Sequence, residues 1–247
     1  MKRDSLGDRM KNNYENIFRN YLPRRTHVII RLDGKAFHTF TKGLDKPWDA
    51  DMIFLMDGVT EYLCKNIQGA KFGYTQSDEI SILLTDFDTI ETQGWFDYNI
   101  QKMVSVSASM ATLAFNEGMR NMNKTKFLNK NGTSKIALFD SRVMVIPLVD
   151  EVINYFVWRQ DDAIRNSVQM LSQNLYSQKE LSRKNKEDQK KMCADKGHVW
   201  ESLPNGLKWG RAFYLDNTTG RGIWMYDKDC PVFKENRNYI NNLIPSI

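Results

Sequence analysis

Lys71-Phe72-Gly73-Tyr74-Thr75-Gln76-Ser77-Asp78-Glu79-Ile80-Ser81-Ile82-Leu83-Leu84 decides the fold of this 247-residue chain. Lys71 to Gln76 and Glu79 to Leu84 each read as a β-strand, and they stand so close that Ser77-Asp78 must form the turn between them. Upstream, His27-Val28-Ile29-Ile30-Arg31-Leu32-Asp33 is another β-branched run, closed by Gly34. Between the two, Asp49 is placed to cap a helix whose Met52, Leu55, Met56, Val59, Leu63 and Ile67 form an apolar stripe. Downstream, Trp95 to Asn116 suits a helix, Asn121 to Lys135 a loop and Ile136 to Pro147 a strand. The order βαββαβ predicts an α+β fold with a ferredoxin-like antiparallel sheet and packed helices.

Residues 5 to 21 place Leu6, Met10, Tyr14, Ile17 and Tyr21 on one face, which predicts an amphipathic opening helix. Past the core pattern, Asp161 to Tyr176 has helical spacing and Lys179 to Lys191 reads as a charged, solvated helix. Trp209 to Leu215 and Ile223 to Asp227 flank a loose turn, Asp216 to Gly222, and predict a hairpin. The expected organisation is a catalytic region over 1–147 and a helical and hairpin region over 148–247, within one compact unit.

No apolar stretch approaches the roughly 18 residues of a membrane span. The start, Met1 to Phe18, lacks an apolar core and cleavage site, so a cytoplasmic location is expected. Cys64, Cys193 and Cys230 stand too far apart for a CxxC pattern, which argues against a disulfide framework or zinc knuckle. The formal charge of +5 is compatible with a polyanionic partner without requiring one.

In the ferredoxin-like order the third strand runs antiparallel beside the first. The exit of strand one, carrying Asp33-Gly34, then lies next to the turn carrying Ser77-Asp78-Glu79. Magnesium takes oxygen ligands, usually one or two carboxylates plus substrate phosphates. Asp33 and Asp78 meet that need, with the Gly34 carbonyl as a further ligand. Backbone N–H groups at Lys35, Ala36, Phe37 and His38 are candidates to cradle a phosphate. Each piece alone is what an ordinary turn carries; together they support a magnesium site and no more.

The residues Arg31-Leu32-Asp33-Gly34-Lys35-Ala36-Phe37-His38, Gly73-Tyr74-Thr75-Gln76-Ser77-Asp78-Glu79, Phe139-Asp140-Ser141-Arg142-Val143 and Trp158-Arg159-Gln160-Asp161-Asp162 occur in order. They resemble the tRNA-His guanylyltransferase family, and the match runs from about Tyr14 to Phe233. The resemblance implies a polymerase-like palm that extends RNA in the 3′-to-5′ direction with two magnesium ions held by Asp33, Gly34 and Asp78. Glu79 is a neighbouring acid in that arrangement. It further implies phosphate contacts from Lys46 and Lys102, active-site roles for Arg31, Ser77 and Arg142, and a place for His38 near the incoming base. ATP or GTP would activate the 5′ phosphate, the RNA substrate would be tRNA, and the assembly would be a homotetramer. Arg24, Arg25, Lys179, Arg183 and Lys184 are candidate RNA phosphate contacts.

Where guanylyltransferases proper carry His-Ile-Asn-Asn-Leu-Tyr-Asn, this chain reads Ala163-Ile164-Arg165-Asn166-Ser167-Val168-Gln169. That departure resembles the bacterial and archaeal-type branch, whose members favour template-dependent addition and repair of 5′-truncated tRNA. Two other readings share parts of the pattern. A palm-fold nucleotide cyclase would use the same carboxylates on one nucleoside triphosphate, and an RNA-recognition module would stack bases on central-strand aromatics such as Phe72 and Tyr74.

Overall fold

β-Branched and aromatic runs pair here into one sheet that is apolar on both faces. The computed structural model describes residues 5–218, 220 and 222–245. Its strands are β1 (His27–Gly34), β2 (Ala70–Gln76), β3 (Glu79–Leu84), β4 (Phe139–Ile146), β5 (Arg211–Asp216) and β6 (Ile223–Asp227). The sheet order is β4-β1-β3-β2-β5-β6, with every neighbouring pair antiparallel. The first four strands therefore have the ferredoxin-like order that the sequence predicts. The C-terminal hairpin continues the same sheet through β2 and β5, a pairing that the sequence pattern does not reveal.

The helices are α1 (Leu6–Met10), α2 (Phe37–Phe40), α3 (Ala50–Asn66), α4 (Ile100–Met122), α5 (Val149–Leu175), α6 (Gln178–Leu181), α7 (Lys186–Asp195), α8 (Asn205–Trp209) and α9 (Asn238–Asn241). α3 and α4 cover one face, packing Leu55, Met56, Leu63, Met103 and Phe115 on Val28, Ile30, Leu32, Ile80 and Ile82. α5 and the C-terminal segment cover the other, where Val152, Ile153, Phe156 and Phe233 meet Ile29, Phe72, Tyr74 and Leu83. β3 is buried along its whole length, which explains why Ile82, Leu83 and Leu84 follow one another without alternation.

Several boundaries differ from the sequence reading. α5 begins at Val149, not Asp161. Its first turns are rich in Val, Ile, Tyr and Phe, poor helix formers that packing on the sheet holds helical. The Lys179 to Lys191 run is two helices: Arg183 has a left-handed φ of 62°, and Asn185 with Asp188 forms a capping box that starts α7. β4 starts at Phe139, not Ile136, and α4 extends to Met122. The opening segment is helical from Leu6 to Phe18, passing from α to π to 3-10 geometry, and Leu6, Met10, Tyr14, Ile17 and Tyr21 are all exposed. Thr219 and Arg221 of the predicted hairpin turn, like residues 1–4 and 246–247, lie outside the described residues. Among the described residues no helix is long and apolar enough to cross a membrane.

Candidate active site

Strand register brings the two aspartates together. Asp33 stands opposite Glu79 on β3 and opposite Asp140 on β4, and the Gly34 N–H donates to the Asp78 carbonyl at 3.1 Å. Ser77 takes a left-handed φ of 50° at the tight turn, and its hydroxyl donates to Asp78 Oδ1 at 3.1 Å. Burial and then the negative charge of Asp33 push the Asp78 carboxyl up. The nearest cationic groups to Asp33 are Arg31 at 3.4 Å and Arg142 at 3.8 Å. A pair of neighbouring carboxylates at a strand edge, one of them pushed up by burial and by the other's charge, fits a divalent cation. Among the described residues there is no group of three or more His, Cys, Asp or Glu side chains placed to hold a metal. An ion on Asp33 and Asp78 would therefore take its remaining oxygens from a backbone carbonyl such as Gly34, from phosphate and from water, which suits magnesium.

Glu79 is bound differently. It is buried, and its Oε2 accepts from Arg31 Nη2 at 2.7 Å and from Arg159 Nη1 at 2.8 Å. Both arginines are largely buried, so Glu79 ties β1, β3 and α5 together at the base of the site. Its other oxygen, Oε1, is buried without a hydrogen-bond partner. Arg159 carries this clamp and was not singled out by the sequence reading.

Beside Asp78 opens a cleft of about 460 Å³. His38, Lys46, Ser77 and Asp78 border it, together with Asp49 of the α3 cap, Ala163, Asn166 and Ser167 of α5, and Arg211 of β5. The altered stretch Ala163 to Gln169 thus contributes to the cleft wall. Arg211 was also missed; its guanidinium donates to Asp57 Oδ1 at 2.5 Å and to the Gly206 carbonyl at 3.1 Å, anchoring the hairpin strand to α3 and α8.

One backbone donor of the Lys35 to His38 segment is lost to a phosphate. The Lys35 N–H is already used, donating to the Leu138 carbonyl at 2.8 Å. The Phe37 ring is core, packed on Phe40, Phe115 and Phe139, so what Phe37 can offer a phosphate is its backbone N–H. Gly34 has a packing reason as well, because a Cβ there would fall on the Phe37 ring. Ala36 stands at a left-handed φ of 55° where the chain leaves β1 and enters α2.

A family model described as tRNAHis guanylyltransferase matches residues 7–147, more than half of the chain and the part that carries both aspartates. This chain belongs to the tRNA-His guanylyltransferase family. It is similar over 98% of its length to a bacterial tRNA(His) guanylyltransferase-like protein in complex with ATP, at 43% identity and a TM-score of 0.86 across 99% of that chain. A bacterial tRNA(His) guanylyltransferase-like protein in complex with GTP matches at 41% identity and a TM-score of 0.79, over 97% of this chain and 99% of the other. The tRNA(His) guanylyltransferase of Debaryomyces hansenii is 28% identical over 151 residues, 60% of this chain and 54% of the fungal enzyme. The match thus spans about half the length of that relative.

Members of the tRNA-His guanylyltransferase family are nucleotidyltransferases, and the fold here is the palm-like one of the bacterial structures. Within one chain, Asp33, Gly34, Arg31, Ser77, Asp78, Glu79 and Arg142 converge, and His38 and Lys46 share the adjoining cleft. Lys102 does not join them. It lies in the first turn of α4, with Nζ 5.8 Å from the Phe96 ring centroid, and is not among the residues lining the cleft.

Arg24 and Arg25 are committed to folding. Arg24 donates to Asp86, Asp97 and the Thr92 carbonyl, and Arg25 to the carbonyls of Asp86, Thr89 and Ile90. They fasten the loop after β3 and are not free phosphate contacts. Lys179, Arg183 and Lys184 are exposed around α6. The central-strand aromatics Phe72 and Tyr74 are fully buried under α5 and Phe233, which removes the stacking surface that an RNA-recognition module needs.

Proposed function

We propose that this chain adds nucleotides to the 5′ end of tRNA in the 3′-to-5′ direction, by template-dependent repair of truncated ends, with guanosine addition to tRNA-His as a related activity. The observation that carries this reading is the placement of Asp33 beside Asp78, which borders a cleft that also presents Lys46, Ser77 and His38.

In the first step, a 5′-monophosphate oxygen attacks the α-phosphorus of ATP or GTP and pyrophosphate leaves. In the second, the 3′-hydroxyl of an incoming nucleoside triphosphate attacks the activated 5′ phosphorus and the nucleoside monophosphate leaves. Lys46 binds the triphosphate, and Arg31 and Arg142 bind phosphate on the other side of Asp33. His38 lies near the incoming base. Two magnesium ions on Asp33, Asp78 and the Gly34 carbonyl would supply positive charge at both attacking and leaving oxygens.

Ala163 stands in the cleft wall where guanylyltransferases proper carry an imidazole, which leaves the choice of nucleotide to pairing with the template strand. Lys179, Arg183 and Lys184 are proposed to hold the tRNA backbone. Self-association into a homotetramer is supported by the uncovered stripe Leu6, Met10, Tyr14 and Ile17 and by exposed Leu113, Ile136 and Leu138 along one groove. A cytoplasmic location follows from the substrate.

The test supplies full-length and 5′-truncated tRNA with ATP, the four nucleoside triphosphates and magnesium. Extension of the truncated end opposite the template nucleotide is expected. No extension of either RNA overturns the reading, and cyclisation of a nucleoside triphosphate without RNA would favour the cyclase.

A further inference from the structure

Asp33 can be approached from a second side, away from the cleft. On the α5 face of the sheet, β1 and β4 present Arg31 opposite Arg142 and Asp33 opposite Asp140. This shelf is open, since Arg142 and Asp140 are exposed. Trp158 of α5 stands beside it with 54% of its surface in solvent, although its neighbours Tyr155, Phe156, Arg159 and Gln160 are buried.

Part of the indole is covered by cations. Arg159 Cζ lies 3.5 Å from the ring centroid and Arg31 Cζ 5.9 Å, while Tyr155 meets the ring edge-on at 5.9 Å. Both guanidiniums are fixed by Glu79. The ring is therefore held against cations in a set orientation while about half of its surface stays in water. Arg31 connects it to the reaction centre, because the Nη2 that bonds Glu79 also lies 3.4 Å from Asp33 Oδ2. The enclosed cleft has room for a mononucleotide, whereas a polymer end needs an open approach with an aromatic surface for its base and a cation for its phosphate. Trp158 and Arg142 supply those on the shelf.

We propose that Trp158 is the platform on which the 5′-terminal base of the RNA substrate stacks, putting its phosphate within reach of Arg142 and the Asp33–Asp78 pair. The inference rests on the RNA-extension reading above. Stacking on an indole is indifferent to base identity, as a repair enzyme meeting varied 5′ ends requires.

The experiment uses the full chain and an RNA carrying 2-aminopurine at its 5′ terminus, whose fluorescence falls on stacking. Quenching is expected with the unsubstituted protein. Trp158→Ala and Trp158→Leu lose it and raise the KM for RNA roughly tenfold or more, with the KM for nucleoside triphosphate unchanged. Trp158→Phe keeps most of both. Leucine still covers the two arginines, so Trp158→Leu behaving like Trp158→Phe would show a structural cover and overturn the proposal. Unchanged quenching in Trp158→Leu, or a raised KM for nucleotide alone, overturns it too. If the alanine variant does not fold, the leucine and phenylalanine pair decides. A chain that quenches 2-aminopurine but extends no RNA refutes the activity and leaves the stacking site standing.

Discussion

Arg159 Nη1 donates to Glu79 Oε2 at 2.8 Å across the face of the sheet, and Arg31 Nη2 reaches the same oxygen at 2.7 Å. Burial pushes the Glu79 carboxyl up, and the charges of Arg159 and Arg31 pull against it. Removing one member of such a buried pair leaves an uncompensated charge and costs about 3–5 kcal/mol. Glu79→Ala is therefore expected to lower the unfolding free energy in urea by about that amount, and Arg159→Met to do likewise. A Glu79→Ala protein with unchanged stability and weakened magnesium binding would make Glu79 a metal ligand instead.

The aspartates should respond with the opposite sign. Asp78 is half-buried beside Asp33, and the two charges repel. Asp78→Asn and Asp33→Asn remove that repulsion, so neither should lose stability in metal-free buffer. Activity should fall by at least about a hundredfold, the scale of losing one electrostatic stabiliser of a transition state. Magnesium should raise the melting temperature of the unsubstituted chain, because a ligand of the native state alone stabilises it. That rise should shrink in both variants; an undiminished rise would place the ion elsewhere.

Gly34 and Phe37 test the link between packing and catalysis. A Cβ at Gly34 would fall on the Phe37 ring, which is wedged among Phe40, Phe115 and Phe139. Gly34→Ala should cost about 1–3 kcal/mol through overpacking. It should also slow extension by displacing the end of β1. In a double-mutant cycle, Gly34→Ala should cost less in a Phe37→Ala background. Strict additivity would mean that the glycine is needed for its backbone alone.

The first four strands and the meeting of Asp33 with Asp78 were legible because β-branched runs mark the strands, the two-residue turn fixes the β2–β3 register, and the βαββαβ order sets β3 beside β1. Arg159 and Trp158 belong to the Trp158 to Asp162 motif, yet their roles depend on α5 crossing the sheet, which nothing local specifies. The missing half of α5 had a signal: Val152, Tyr155, Phe156, Arg159 and Ala163 recur at three and four residues and are all buried. Its β-branched and aromatic composition hid the helical spacing. Arg24 and Arg25 misled because a basic pair before a strand looks the same whether it faces RNA or the acidic loop of Asp86 and Asp97.

The loop that carries Lys46 is held by a titratable knot. Lys126 Nζ lies 2.8 Å from Asp49 and 2.5 Å from Asp51. Burial would raise the Asp49 carboxyl, but Lys126 and the N–H groups of Asp45 and Met52 outweigh it and leave the carboxyl below its ordinary value. Lys124 and Lys126 hold Asp51 down as well. Burial works to lower Lys126, and the two carboxylates raise it to about 12. Depressed carboxylates contribute stability that is present above about pH 4 and lost as pH falls through their folded values. Raised Lys126 contributes stability present below about pH 10.4 and lost as pH rises toward 12. Melting temperature followed from pH 2 to 7 should drop on the acid side, and Asp49→Asn should flatten that drop. An equally steep acid limb in Asp49→Asn would assign it to other carboxylates.

The basic residues divide into two groups that salt dependence separates. Each protein–phosphate contact contributes close to one unit to the slope of log affinity against log salt concentration. Lys179, Arg183 and Lys184 are exposed and, among the described residues, make no ion pair, so their cations are available to a backbone. Replacing each by Ala should reduce the slope for tRNA binding by about one unit. Arg25→Ala should leave the slope unchanged and lower the melting temperature, because its guanidinium is spent on the carbonyls of Asp86, Thr89 and Ile90. Fluorescence anisotropy of labelled tRNA between 50 and 300 mM KCl, values on the order of the usual range for such contacts, measures both slopes. A reduced slope in Arg25→Ala with unaltered stability would return that arginine to the RNA surface, and unchanged slopes in all three α6-region variants would move the RNA to another face.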